Sequence, residues 1–133
     1  MKNTGSCLCK QIIFEVDKFQ GPIGHCHCKM CQKFFCIQCI WIIQKFHGAA
    51  FSTFAETKKA DLTWLSGESL LKHYCAENDS IRTFCDCCGS SLLFESTFNR
   101  SEDTIEIALS AFDVLDHVHP DAHIYTESKA DWY

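Results

Sequence analysis

Proline is scarce in this chain, with Pro22 and Pro120 the only two in 133 residues, and glycine numbers six. No Pro-, Ser- or Gly-rich linker divides the sequence, so nothing marks a second domain. Long apolar runs are lacking as well. The longest, Phe34 to Ile43 (FFCIQCIWII), covers ten residues and is interrupted by Gln38, whereas a membrane-spanning helix needs about twenty. It is expected to be a buried strand or a protected loop. Positive charge is also short: 12 Lys plus Arg stand against 17 Asp plus Glu, for a net −5. A surface that binds nucleic acid carries the opposite sign over at least one long face. The opening Met1-Lys2-Asn3-Thr4-Gly5-Ser6-Cys7 has no apolar stretch of signal-peptide length. The expectation is one domain over residues 1–133, with neither nucleic acid nor membrane as partner, working in the cytoplasm.

What the chain does have is cysteine, eleven residues of it. That density would suit a secreted disulfide scaffold, but the number is odd and the thiols cluster at metal-ligand spacings. A reducing compartment and bound metal follow. Hydrophobic residues make up 47% of the sequence, enough for a core that removes about two-thirds of the unfolded surface from water. Strands are favoured over helices, because Ile12, Phe14 and Val16 alternate with Gln11, Ile13 and Glu15, and residues 104–109 (TIEIAL) alternate likewise. Further short strands are expected at 50–55, 62–65, 70–75, 91–95 and 122–125. Many short strands and no long amphipathic helix predict an all-β domain of two packed sheets.

The chemistry lies in three cysteine groups: Cys7-Leu8-Cys9, Cys26-His27-Cys28-Lys29-Met30-Cys31 and Cys85-Asp86-Cys87-Cys88-Gly89. Zinc binds sulfur at about 2.3 Å in a tetrahedron, while alternate residues of a straight strand are about 6.6 Å apart. The chain must therefore curl at each pair, and Gly5 and Gly89 flank two of the curls. In the last group Cys85 can combine with Cys87 or Cys88. Cys88 is preferred because a two-residue spacer is the commoner zinc knuckle.

Two pairs and one triplet give seven thiolates, one short of two closed four-sulfur sites. The simplest partition makes Cys7, Cys9, Cys85 and Cys88 a closed structural zinc and leaves Cys26, Cys28 and Cys31 holding a second, open zinc. A competing arrangement uses His25 or His27 to close the second site, which would make both zincs structural. Cys36 and Cys39 form one more two-residue-spaced pair inside the apolar run, where inert thiols are expected rather than a redox couple. Cys75 and Cys87 read as spare core thiols. Phe51, Phe54 and Trp64 read as core, and His117, His119 and His123 as surface loop.

The chain resembles the GFA family, glutathione-dependent formaldehyde-activating enzymes whose relatives include centromere protein V. The likeness rests on Gly5-Ser6-Cys7-Leu8-Cys9, on residues 25–33 (HCHCKMCQK) and 47–51 (HGAAF), on Trp64-Leu65-Ser66-Gly67, on Phe84-Cys85 with Cys88-Gly89-Ser90, and on Ala122-His123-Ile124-Tyr125 with Lys129 and Trp132. It implies a zinc-stapled β-sandwich with a structural site matching Cys7, Cys9, Cys85 and Cys88 and a catalytic site matching Cys26, Cys28 and Cys31. The implied reaction is the reversible carbon–sulfur joining of glutathione, or a similar thiol, with formaldehyde to give S-hydroxymethylglutathione. His27 and His47 are the candidates for proton transfer, because imidazole titrates near neutral pH. Lys29, Lys33 and Arg82 are candidates for the tripeptide carboxylates, each weighed against an ordinary solvated charge. One departure stands out: about twelve residues, near 35–46 and bounded by a repeated Gln-Lys-Phe, separate the triplet from His47 where the family pattern runs straight on. The rival reading is a non-catalytic zinc module that binds a protein partner.

Overall fold

The computed structural model describes residues 2–26, 46–49, 52–115 and 122–124. Within them the chain is nearly all β, in two sheets. The strands are β1 (Asn3–Ser6), β2 (Ile13–Val16), β3 (Gln20–Cys26), β4 (Ser52–Lys58), β5 (Leu62–Ser66), β6 (Leu71–Cys75), β7 (Ile81–Cys85), β8 (Ser91–Glu95), β9 (Thr104–Ala108), β10 (Phe112–Val114) and β11 (Ala122–Ile124). The smaller sheet runs β10-β1-β2-β5 and the larger β11-β3-β4-β9-β8-β7-β6. Pairing is antiparallel except between β11 and β3. One short α-helix, α1 (Thr97–Glu102), links β8 to β9. Ser96 caps it by accepting from the Asn99 backbone N–H, which satisfies an otherwise orphan donor.

The alternation seen in the sequence determines which side chains meet between the sheets. Ile12, just before β2, and Phe14 and Val16 of β2 are fully buried, in one core with Leu93, Ile105 and Ile107 of the large sheet. Phe14 anchors the layer edge-on to Trp64 and Phe112, with ring centroids 5.7 and 5.3 Å away. Burying one such aromatic contributes about 2–3 kcal/mol, and edge-to-face pairing adds to it. Gly5 of β1 crosses directly over this ring. A Cβ at that position would overlap Phe14 and the Ala111 carbonyl, so the close approach needs glycine.

The second face of the large sheet is different in kind. Strand register sets Glu56 of β4 opposite Glu106 of β9, Glu106 opposite Phe94 of β8, and Phe94 opposite Arg82 of β7. One row across four strands thus carries two carboxylates, a ring and a guanidinium. Residues 46–49 cover part of it: the Phe46 ring packs edge-on to Phe84 and His47 packs against Phe54.

Sequence expectations and structure differ in places. The strand expected at 50–55 is displaced to Ser52–Lys58, and β1, β3, β7 and β10 had no alternation strong enough to be foreseen. The apolar run 34–43, with Cys36 and Cys39, lies outside the described residues, as do Phe51, His117 and His119. Among the described residues no helix is long and apolar enough to cross a membrane.

Candidate metal centre and adjoining cavity

The curl after β1 brings Cys7 and Cys9 to one point. The Lys10 N–H donates to the Cys7 carbonyl at 3.0 Å, the Cys7 N–H to the Ile12 carbonyl at 3.1 Å, and the Ile12 N–H to Cys7 Sγ at 3.3 Å. Lys10 takes a left-handed φ of 64° to complete the turn. The second curl follows β7, where the Gly89 N–H donates to the Cys85 carbonyl at 2.8 Å with Gly89 at φ 75°. Ser90 joins the two curls: its hydroxyl accepts from the Leu8 N–H at 2.9 Å and lies 3.1 Å from Cys88 Sγ.

These turns gather the sulfurs of Cys7, Cys9, Cys85 and Cys88 within 4.8 Å of one another. Cys7 and Cys9 Sγ are 3.4 Å apart, and Cys9 and Cys85 Sγ 3.8 Å. A tetrahedral zinc with sulfur at about 2.3 Å requires about 3.8 Å between ligand sulfurs. Four thiols at that spacing could hold a metal, and donor type, number and separation all suit a tetrahedral cation. Cys7 and Cys85 are buried, Cys9 and Cys88 half-buried.

The thiols oppose one another electrostatically. The Ser90 hydroxyl draws Cys88 down to about 5. Burial opposes ionisation of Cys7, yet the Ile12 N–H and the neighbouring sulfurs hold it below its ordinary value. Burial pushes Cys85 up. At Cys9 the Gln11 N–H pulls downward, but desolvation and the other sulfurs prevail and push it up to about 12. Cys9 and Cys85 therefore keep their protons until a cation displaces them, which couples metal binding to proton release.

Cys87, the competing third-group ligand, turns away from the cluster. It is exposed and receives the Gln11 side-chain amide at 3.1 Å. Cys75 is exposed as well, at the end of the outermost strand. Neither is the core thiol expected from sequence: Cys75 ends an edge strand whose residues 72–75 are all exposed, and Cys87 lies in the turn after β7, outside the core. Of the triplet, Cys26 ends β3, with its backbone paired to Ser52 of β4. The Cys26 side chain, along with His27, Cys28, Lys29, Cys31 and Lys33, lies outside the described residues.

A cavity of about 810 Å³ adjoins the cluster, its wall including Ser6, Cys7, His47, Ser52, Ser90 and Asp113. The Lys10 ammonium stands at its rim, 2.9 Å from both Ser6 Oγ and Asp113 Oδ1. Ser52 Oγ is buried with no hydrogen-bond partner among the described residues. Asp113 is held below the usual carboxylate range by the Ser6 hydroxyl and Lys10.

His47 reaches this wall from the charged face of the large sheet. Its Nε2 lies 3.5 Å from Arg82 Nη1, and burial, helped by that guanidinium, pushes the imidazole down to about 4. Arg82 is no solvated charge. It is 5% exposed and sits between the Phe94 and Phe46 rings, 4.8 and 5.3 Å from their centroids, where cation–π attraction offsets part of its desolvation. Burial and the facing Glu56 push Glu106 up to about 7, against the pull of Arg82. Sequence reasoning missed Glu56 and Glu106 altogether. The only signal was polar residues inside two alternating strands, which is also how a solvated face reads.

A family model described as glutathione-dependent formaldehyde-activating enzyme matches residues 2–128. A Schizosaccharomyces pombe protein described as an uncharacterized lyase is 27% identical over 129 residues, covering 97% of this chain and 82% of that one. The crystal structure of a Rhodobacter sphaeroides protein, a structural-genomics target, shares the fold with a TM-score of 0.60 at 19% identity, covering 90% of this chain and 98% of the other. With two cysteine curls closing on one point in a β-sandwich, and the family model matched over nearly the whole length, the chain belongs to the glutathione-dependent formaldehyde-activating enzyme family.

Proposed function

We propose that this protein is a zinc-dependent carbon–sulfur lyase that reversibly joins glutathione, or a similar thiol, to formaldehyde to form S-hydroxymethylglutathione. The family match and the relative described as a lyase support a lyase-type function at family level. The finer reading is supported by one juxtaposition. Four sulfurs converge without drawing on the triplet, and backbone register pairs Cys26 with Ser52, a residue that lines the same cavity as His47.

In this reading Cys7, Cys9, Cys85 and Cys88 hold a structural zinc, while Cys26, Cys28 and Cys31 hold a second with one position open to a guest. That second metal would supply a Lewis-acid site able to keep a thiol deprotonated near neutral pH. The chain's own residues do the rest. The cavity orients the tripeptide, and the Lys10 ammonium at the rim offers a partner for a carboxylate. Attack of the thiolate on formaldehyde forms the C–S bond and drives the carbonyl π pair onto oxygen, which then takes up a proton. His47 is the group on the wall suited to that oxygen.

The test is titration of glutathione into cobalt-substituted protein. New sulfur-to-metal charge-transfer absorption that saturates with glutathione, and is lost in Cys28→Ser, supports the reading. A spectrum that glutathione leaves unchanged overturns it in favour of a non-catalytic zinc module.

A further inference from the structure

We propose that Arg82 is a positioning residue that holds His47 as the neutral tautomer protonated on Nδ1, so that His47 serves the reaction as a fixed hydrogen-bond donor to the carbonyl-derived oxygen rather than as a base. The inference rests on the lyase reading for its substrate, but its structural half stands apart from it.

The geometry begins with the guanidinium. Arginine has five N–H donors, no acceptor, and no neutral form in proteins. With Nη1 3.5 Å from His47 Nε2, a proton on that ring nitrogen would face a cation, so Nε2 keeps its lone pair and the neutral ring carries its proton on Nδ1. Arg82 has little freedom to move away, because the Phe94 and Phe46 rings flank it. His47 is fixed in turn by edge-on contacts to Phe46 and Phe54, with centroids 5.1 and 5.7 Å away. Nδ1 has no partner among the described residues, and His47 lines the cavity. Of the charged groups around the pair, Arg82 bears on the ring directly and favours its neutral form, while Glu106 and Glu56, whose carboxylates would favour a charged ring, stand beyond Phe94 in the same row. The depressed imidazole value, about 4, agrees with this arrangement.

A neutral imidazole is a poor proton source, since giving up Nδ1–H would leave an imidazolate. It is a good donor to an oxygen gaining charge, in the manner of an oxyanion hole. As the C–S bond forms and the carbonyl π pair moves onto oxygen, Nδ1–H stabilises that oxygen. The proton that completes the hydroxyl arrives through water, replacing the one the thiol released on deprotonation. In the reverse direction the same bond steadies the oxygen as the C–S bond breaks.

The experiment is nitrogen-15 NMR of histidine-labelled, zinc-loaded protein, with the His47 resonances assigned by their loss in His47→Gln. The expected spectrum has Nδ1 protonated and Nε2 unprotonated from about pH 5 to 8. Arg82→Gln should move the ring toward the Nε2–H form that free imidazole prefers and bring its titration toward neutral pH, whereas Arg82→Lys, which keeps a cation, should shift it less. An Nε2–H ring or an imidazolium at pH 6 in the unmodified protein overturns the proposal even if Arg82→Gln fails to fold. In the forward reaction His47→Ala should lower kcat about a hundredfold with KM within about twofold, and His47→Gln, which retains an N–H donor, should restore part of it. Equal losses in the two variants overturn the donor role. Absence of any reaction with glutathione and formaldehyde defeats the lyase reading, while the spectra still decide the Arg82 assignment.

Discussion

The protein concentrates like charge in two regions and manages it in opposite ways. At the cysteine corner four thiols lie within 4.8 Å of one another, and full ionisation would put four negative charges in that space. A divalent cation held there would resolve the conflict, and the Ile12 N–H directed at Cys7 Sγ suits the site to it. On the outer face of the large sheet Glu56 confronts Glu106 with Arg82 beyond Phe94. There the conflict is eased by a retained proton and by aromatic rings against the guanidinium. An arrangement of the first kind is expected to fail as a whole when a bound cation leaves; the second titrates with pH.

The largest effect that tests this contrast comes from Cys85→Ser. Structural zinc binding is worth about 10–16 kcal/mol in small domains, comparable to the roughly 5–15 kcal/mol that keeps a whole domain folded. Metal content and far-UV circular dichroism should therefore fall together. Cys87→Ser, in the same turn but exposed and outside the cluster, should change neither. A Cys85→Ser protein with unchanged metal and a stable fold would leave the corner no more cooperative than the charged row.

The same contrast explains what could be read from the sequence. Cys7 and Cys9, and Cys85 and Cys88, announce themselves through short spacings, because a curl is a local event. Alternation at Ile12, Phe14 and Val16, and along residues 104–109, likewise marked strands whose one face is apolar. The charged row had no such signature. Glu56, Arg82, Phe94 and Glu106 come from four strands, and only register aligns them. Glu106 in particular occupies the polar phase of an alternating strand, where solvent is the default neighbour. β1 and β10 were hidden for a related reason. β1 is Asn-Thr-Gly-Ser, with nothing in it that resembles a strand, and it forms one because β2 and β10 pair with it on either side and Gly5 admits the Phe14 ring beneath.

Next in size is Glu106→Gln. An unfolded glutamate titrates near 4.3, whereas burial and Glu56 push Glu106 up to about 7. Between those values the folded chain keeps a proton that the unfolded chain has lost, so stability falls as pH rises through this window. The fall should amount to about 4 kcal/mol at most. Glutamine carries no such proton, so subtracting the wild-type curve of denaturant-determined stability from that of the variant should give a line rising from pH 4.5 to 7 and level above it. Zinc-saturated samples of both keep thiol titration out of the difference. A flat difference would place Glu106 in contact with solvent and dissolve the contrast between the two regions.

The smallest effect has the opposite sign and comes from the same row. The unfolded histidine titrates near 6.5, and burial beside Arg82 pushes His47 down to about 4. Across that interval the unfolded chain holds the extra proton, so His47 makes stability rise with pH where Glu106 makes it fall. The ring borders the cavity, and water there screens it, so its share should be the lesser of the two. In the wild type the two slopes partly cancel from about pH 4.5 to 6.5. His47→Gln should unmask the fall due to Glu106, and Glu106→Gln the rise due to His47, so the two variant curves should diverge on opposite sides of the wild type. Parallel curves would mean that the fold moves neither titration. The row would then be a set of separate buried charges, without the coupling that sets His47 apart as a donor.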